Sequence, residues 1–176
     1  VPKGSLVVST RGRLPESERK YFATDEPMLP DVPLIVLVNR NSASASEIVA
    51  GAIQDLDRGL IVGTRSFGKG LVQTIVPLSF NTQMKITTAK YYTPSGRCIQ
   101  EINYQRKGKD GGFETTPDSL KKKFKTLSGR MELEAGGITP DSAVSPLEHT
   151  NLYNELLRRS MYFKYASRHA ARHSLL

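Results

Sequence analysis

The run Pro33-Leu34-Ile35-Val36-Leu37-Val38-Asn39 is the strongest strand signal in the chain. It is nearly continuous, apolar and β-branched, as a strand covered on both faces requires. A polar turn, Asn39 to Ala43, follows it, and a helix is predicted directly afterwards. Ser44, with Glu47 three residues on, has the form of a capping box. Ile48, Val49, Ala52, Ile53 and Leu56 then recur at helical spacing. Asp57-Arg58-Gly59 ends the helix, with Gly59 as its C′ residue. Leu60-Ile61-Val62-Gly63 reads as the next strand. Strand, turn, helix and strand in about thirty residues form a βαβ unit, which makes part of the sheet parallel and the chain α/β.

Strands are also predicted over Ser5 to Thr10 and over Tyr21 to Thr24. Leu71 to Leu78 and Met84 to Tyr92 read as an antiparallel hairpin turning at Asn81-Thr82-Gln83. Thr93-Pro94-Ser95-Gly96 is a turn, and Gly136 to Asp141 is another. Residues 103–129 are polar, basic and glycine-containing, and are read as a long mobile loop. A single C-terminal helix is predicted from Asn151 to Arg172.

Composition narrows the chemistry. With 176 residues, 38% hydrophobic and 24% charged, the chain fits a soluble globular domain with a real core. No apolar run reaches the ~18 residues of a membrane span. The opening, Val1-Pro2-Lys3-Gly4, shows no charged-apolar-small targeting segment and reads like the middle of a longer protein. Cys98 is the only cysteine, which excludes an intrachain disulfide and a thiolate metal cluster. His169 and His173 have the i, i+4 spacing of a helical metal pair, but no third ligand is evident, so neither metal nor cofactor is expected.

The net charge of +8 is unevenly placed. One cluster spans Arg106 to Arg130; the other is the tail from Arg158 to Arg172, with no acid after Glu155. Such runs suit anionic lipid, nucleic acid or acidic protein surfaces, or are simply solvated faces. No nucleic-acid motif accompanies them, so no nucleic-acid partner is expected.

Ser44 and Lys69 carry the most chemistry. A serine hydroxyl needs a base to act as a nucleophile. No histidine occurs before His149, so a lysine is the available base. A lysine serves only when its amine is neutral, a state that burial favours. Lys69 sits between Gly68 and Gly70, beside Phe67 and Leu71, and no Asp or Glu occurs between Asp57 and Glu101. Gln73 is a neutral side chain able to orient the amine. The unpaired N–H of Ala45, in the first helical turn, is a candidate oxyanion donor. The plain alternative is that Ser44 only caps the helix and Lys69 only decorates a turn. Ser42 and Ser46 are alternative nucleophiles on local grounds.

Several motifs carry a resemblance. They are Asn41 to Glu47 (Asn-Ser-Ala-Ser-Ala-Ser-Glu), Ala50-Gly51-Ala52, Val62-Gly63, Phe67-Gly68-Lys69-Gly70, Val72-Gln73, Tyr91 to Gly96 and Gly136 to Asp141. In order and spacing the chain resembles the C-terminal processing peptidases, or tail-specific proteases. The resemblance covers roughly residues 1–145; residues 146–176 form a basic helix or tail outside it. It implies a ClpP/crotonase-like protease core, with Ser44 as nucleophile, Lys69 as general base and Gln73 orienting the lysine. It implies a serine endopeptidase that cleaves proteins near accessible C-termini through an acyl-enzyme, in an extracytoplasmic or membrane-associated place. Family members also carry a PDZ-like domain and further core upstream. By that comparison the chain is a fragment, weakly active or inactive alone, whose exposed strand edges favour self-association. Two other functions stay open: a non-catalytic assembly module, and a crotonase-type acyl-CoA enzyme, for which no acyl-CoA motif is visible.

Overall fold

The computed structural model describes residues 1–107, 113–145 and 149–172. The chain divides into two compact units, Val1–Ser145 and Pro146–Leu176. The first unit opens with β1 (Leu6–Gly12), β2 (Arg19–Phe22) and β3 (Ile35–Val38). Next come α1 (Ala45–Asp55), β4 (Leu60–Gly63), β5 (Leu71–Pro77) and β6 (Gln83–Tyr92). It closes with β7 (Ile102–Lys107), β8 (Phe113–Thr115), β9 (Lys123–Lys125), β10 (Met131–Leu133) and β11 (Ser142–Ala143).

The predicted βαβ unit is present. β3 and β4 run parallel, with Ile35 opposite Leu60 and Val38 opposite Gly63, and α1 crosses between them. β11 adds to β4, also in parallel, giving the order β11-β4-β3. Val38, Ala50, Ile61, Ile99 and Ile138 are buried together, and Val36 and Ile53 pack against them. Each Ile or Val so buried contributes about 1.5–3 kcal/mol. The expectation that β3 is covered on both faces is corrected: Ile35 is 61% and Leu37 77% exposed. Only the alternate residues, Val36 and Val38, turn inward. β3 is the edge strand of its sheet, and its outward-facing Ile35 and Leu37 are exposed.

The predicted hairpin is also present, β5 against β6, within an antiparallel sheet of order β2-β1-β6-β5. Phe80 and Asn81 turn it in the left-handed region, at φ 58° and 57°. The long loop expected over 103–129 is corrected. Its described part holds β8 paired with β7, a 3₁₀ turn at Asp118–Leu120, and β9 paired with β10. Residues 108–112 lie outside the described residues.

A buried polar network ties the C-terminal end of α1 to the rest of the unit. Arg97, 1% exposed, donates from Nε to Asp55 Oδ1 at 3.0 Å and from Nη2 to Gln54 Oε1 at 2.7 Å. Asp141 accepts from the Ile61 N–H at 2.7 Å and from Gln54 Nε2 at 3.0 Å, and it pairs with Arg130. Buried charges persist when they are paired and hydrogen-bonded in this way.

In the second unit, α2 (Asn151–Arg158) and α3 (Met161–Arg172) replace the single helix expected over this range. The break is at Ser160, whose backbone is left-handed at φ 54°. Its N–H closes the turn onto the Leu157 carbonyl, and its own carbonyl receives the Lys164 N–H that begins the next helix. Thr150 caps α2, accepting from the Tyr153 N–H at 3.2 Å. His173, half of the pair considered as metal ligands, lies outside the described residues.

Candidate active site

The turn between β3 and α1 is held by its own side chains. Ser42 Oγ accepts from the Asn39 N–H at 3.1 Å, and Asn39 Oδ1 accepts from the Asn41 N–H at 2.9 Å. The Ser42 hydroxyl is thus engaged in shaping the turn. Ser46 lies exposed within α1.

Ser44 is strained. Its φ of 58° and ψ of −116° lie where a non-glycine residue costs roughly 1–3 kcal/mol. A serine on a sharp, strained strand-to-helix turn presents its hydroxyl outward, as a nucleophile elbow does. Ser44 Oγ and the Glu47 N–H are placed as in a capping box, yet no cap hydrogen bond of normal geometry forms. The Glu47 N–H instead donates to the Ser44 carbonyl at 2.9 Å. The Ala45 N–H, at the first helical position, has no acceptor among the described residues.

Glu47 organises the whole region, a role that sequence reasoning missed beyond its part in the cap. The residue is fully buried. Its Oε2 accepts from the Ser44 N–H at 2.9 Å and from the Lys69 N–H at 2.8 Å. Its Oε1 accepts from Ser66 Oγ at 2.5 Å and from the Gly68 N–H at 2.6 Å. One carboxylate oxygen thus bridges the backbones of the two residues singled out for chemistry, although 25 positions separate them in sequence. Ser66 Oγ in turn accepts from the Ile138 N–H at 2.7 Å, which draws the Gly136 to Asp141 motif into the same knot. Gly137 must be glycine here: its φ is +74°, and a Cβ would stand 2.5 Å from Ser66 Oγ and 3.0 Å from Glu47 Oε1.

The Lys69 loop has a second clamp, also missed. Gln100 Oε1 accepts from the Gly70 N–H at 2.8 Å, while its Nε2 donates to the Ile102 carbonyl at 3.1 Å. Gly68, at φ +86°, lets the loop pass Glu101, whose Cβ would stand 2.5 Å from a Cβ on residue 68. Beyond the loop, the Arg65 guanidinium and then Lys121 hold the Asp118 carboxyl far below the usual carboxylate range.

Not every expected contact is made. Lys69 is exposed rather than buried, and Phe67 beside it is 54% exposed. Among the described residues no hydrogen bond joins the Lys69 amine to Ser44 Oγ or to the Gln73 amide. Lys69 and Gln73 do share a cavity of ≈ 880 Å³, with Gln100, Glu101 and Lys121 also in its walls; Ser44 lies outside those walls. Glu47 thus ties the Ser44 and Lys69 backbones together, while among the described residues their side-chain ends make no hydrogen bond to each other. Among the described residues no group of three or more His, Cys, Asp or Glu side chains is placed to hold a metal ion.

Residues 1–108 match the profile of Peptidase family S41. The chain belongs to peptidase family S41. It is 55% identical, over 96 residues, to a carboxy-terminal-processing protease of Bartonella bacilliformis, covering 54% of this chain and 22% of that protein. It is 57% identical, over 82 residues, to a chloroplastic C-terminal processing peptidase of Tetradesmus obliquus, covering 47% of this chain and 18% of that one. The chain thus spans about a fifth of the length of these relatives. Among solved structures, a photosystem II D1 C-terminal processing protease matches over 83% of this chain and 28% of its own, with a TM-score of 0.57 and 33% identity. A putative S41 protease from Bacteroides fragilis shares the fold at a TM-score of 0.52 and 12% identity, over 93% of this chain and 37% of its own.

Proposed function

We propose that this chain carries the nucleophile and base of a serine endopeptidase that trims protein substrates near their C-termini. Ser44 is the nucleophile, Lys69 the general base, Gln73 the group that orients the lysine, and the Ala45 N–H an oxyanion donor. The neutral Lys69 amine takes the Ser44 hydroxyl proton as Oγ bonds to the scissile carbonyl carbon. The carbonyl oxygen, now negative, is met by the Ala45 N–H; such a donor contributes about 3–4 kcal/mol in comparable sites. The Lys69 ammonium then gives its proton to the departing amine, the C–N bond breaks, and Ser44 is left acylated. Water, deprotonated by the same lysine, hydrolyses the ester and restores the hydroxyl.

The observation that carries this reading is the shared Glu47 oxygen, which holds Ser44 and Lys69 by their backbones while leaving both side-chain ends available. Family membership supports it, as do the C-terminal processing peptidases of Bartonella bacilliformis and Tetradesmus obliquus among its relatives. The exposed amine has to be stripped of water before it can act as a base, and bound peptide is the covering we assign to it. Catalysis is assigned to the assembled protein, with weak or absent turnover for residues 1–176 on their own. The enzyme is placed outside the cytoplasm or in a plastid-like compartment, in keeping with chloroplastic relatives. Among the described residues, no helix is long and apolar enough to cross a membrane.

In the full-length protein, Lys69→Ala should slow cleavage of an unstructured peptide by about 10²–10⁴-fold, the usual contribution of a general base. Undiminished turnover by that variant would overturn the assignment. Robust cleavage by residues 1–176 alone would overturn the need for assembly.

A further inference from the structure

The sheet face leading away from Lys69 carries an unbalanced charge. Across this face Leu71 lies opposite Lys90, Gln73 opposite Thr87 and Ile75 opposite Lys85. On its other side Lys90 lies opposite Arg11. Leu71, Gln73, Thr87 and Lys90 line the cavity that Lys69 also lines, with Lys122 on its rim. Lys69, Lys85, Lys90 and Lys122 are all exposed, and among the described residues none of them takes part in an ion pair. Elsewhere in this unit Arg65, Arg97, Lys121 and Arg130 are each paired with a carboxylate, whereas scattered surface cations such as Arg13, Arg19 and Lys20 are not paired among the described residues. What sets this face apart is that its cations gather on one sheet face beside a cavity.

Two acids do line the cavity, Glu101 and Glu134. Glu101 faces Lys121 at 3.6 Å, so its charge is answered locally. Lys69 is set aside because it works as a neutral amine, which leaves Lys90 and Lys122 against Glu134 alone. The strands themselves offer no counter-charge, because no acid occurs between Asp57 and Glu101. Arg11 and Lys90, directly opposite one another, repel, which is an arrangement that destabilises a sheet. Arg11 is partly accommodated by lying over the Tyr92 ring, 4.6 Å from its centroid. Among the described residues Lys90 lies over no aromatic ring. An anionic ligand crossing this row of cations would be attracted.

We propose that this face, from Leu71 past Gln73 and Lys90 to Lys85, is a subsite for acidic side chains of the peptide substrate. The inference rests on the hydrolytic reading above and deepens it by naming a substrate class. A peptide with its scissile bond at Ser44 and Lys69 would lie extended along β5. From Leu71 to Ile75 is about 13 Å, or four residues of extended chain. Glu or Asp within about two to six residues of the scissile bond, on the side that crosses β5 and β6, would meet Lys90 and then Lys85.

The test uses full-length protein and matched fluorescent peptides that differ only in carrying Glu or Gln at those positions, on each side of the bond in turn. On one side kcat/KM should favour Glu by about three- to tenfold at low salt, with the preference shrinking at high salt as screening shortens the reach of the charges. The Glu-to-Gln ratio should fall towards one in Lys85→Gln and in Lys90→Gln, both changes at exposed positions. Equal rates for Glu and Gln peptides, or a ratio unmoved in both variants, would overturn the subsite. If no peptide is cleaved at all, the hydrolytic reading fails separately. Anisotropy of the same peptides on the same proteins then decides the subsite: tighter binding of Glu peptides that is lost in the variants supports it, and equal binding overturns it.

Discussion

At the scale of single residues, the arrangement depends on Glu47. Four donors converge on its two oxygens: the N–H groups of Ser44, Gly68 and Lys69, and the Ser66 hydroxyl. Only an acceptor-only group satisfies all four at once. Glutamine has nearly the same volume but presents an NH₂ where an acceptor is needed. Glu47→Gln should therefore turn an NH₂ towards two donors, either the part-buried Ser44 and Lys69 N–H groups or the buried Gly68 N–H and Ser66 hydroxyl, at up to about 1–3 kcal/mol for each group left unsatisfied. Thermal denaturation should show the loss in stability. Labelling by a fluorophosphonate should fall further than the loss of folded protein explains, because Ser44 and Lys69 lose their common anchor. A stable Glu47→Gln protein that labels at the unaltered rate would remove Glu47 from the site. Glu47 was legible in the sequence only as a cap residue. Its contacts with Ser66, Gly68 and Lys69 arise from chain-distant packing, which spacing along a helix does not encode.

At the scale of elements, patterning was legible where burial is regular. The β3–α1–β4 unit and the β5–β6 hairpin follow from apolar runs and periodicity. The ribbons β7–β8 and β9–β10 do not, because three of their four strands are only three residues long, too short for a periodicity to stand out, and β7 is largely polar. β9 is held instead by cross-strand backbone pairing, Lys125 to Met131 and Lys123 to Leu133. The break between α2 and α3 had no proline or glycine to announce it; a serine takes the left-handed position. The junction of α1, β4 and β11 depends on Asp141. Burial tends to raise its carboxyl, but Gln54, the Ile61 N–H and Arg130 outweigh that and hold it below its ordinary value of 3.8. A carboxyl lowered by folding adds stability that is complete above its unfolded value and is lost as pH falls through the folded one. Stability should therefore decline below about pH 4, and Asp141→Asn should be less stable at neutral pH yet lose less on acidification. An identical acid dependence in the variant and the parent, followed by circular dichroism, would show that Asp141 has no part in it.

At the scale of the whole molecule, the first unit holds a well-tied backbone frame with an open working surface. The frame is the polar network around Arg97 and Asp55 and the small apolar core beside it. The surface is the Lys69 cavity and the cationic sheet face, both exposed, with the β3 edge open as well. Such an arrangement suits a site completed by what binds to it, with bound peptide bringing the Ser44 and Lys69 side chains into contact. The most direct measurement is site mapping of a fluorophosphonate adduct on the full-length protein by mass spectrometry. One adduct is expected, on Ser44, and it disappears in Lys69→Ala. Peptide cleavage with the adduct on Ser42 or Ser46, or with Ser44 labelled equally well without Lys69, would contradict the assignment.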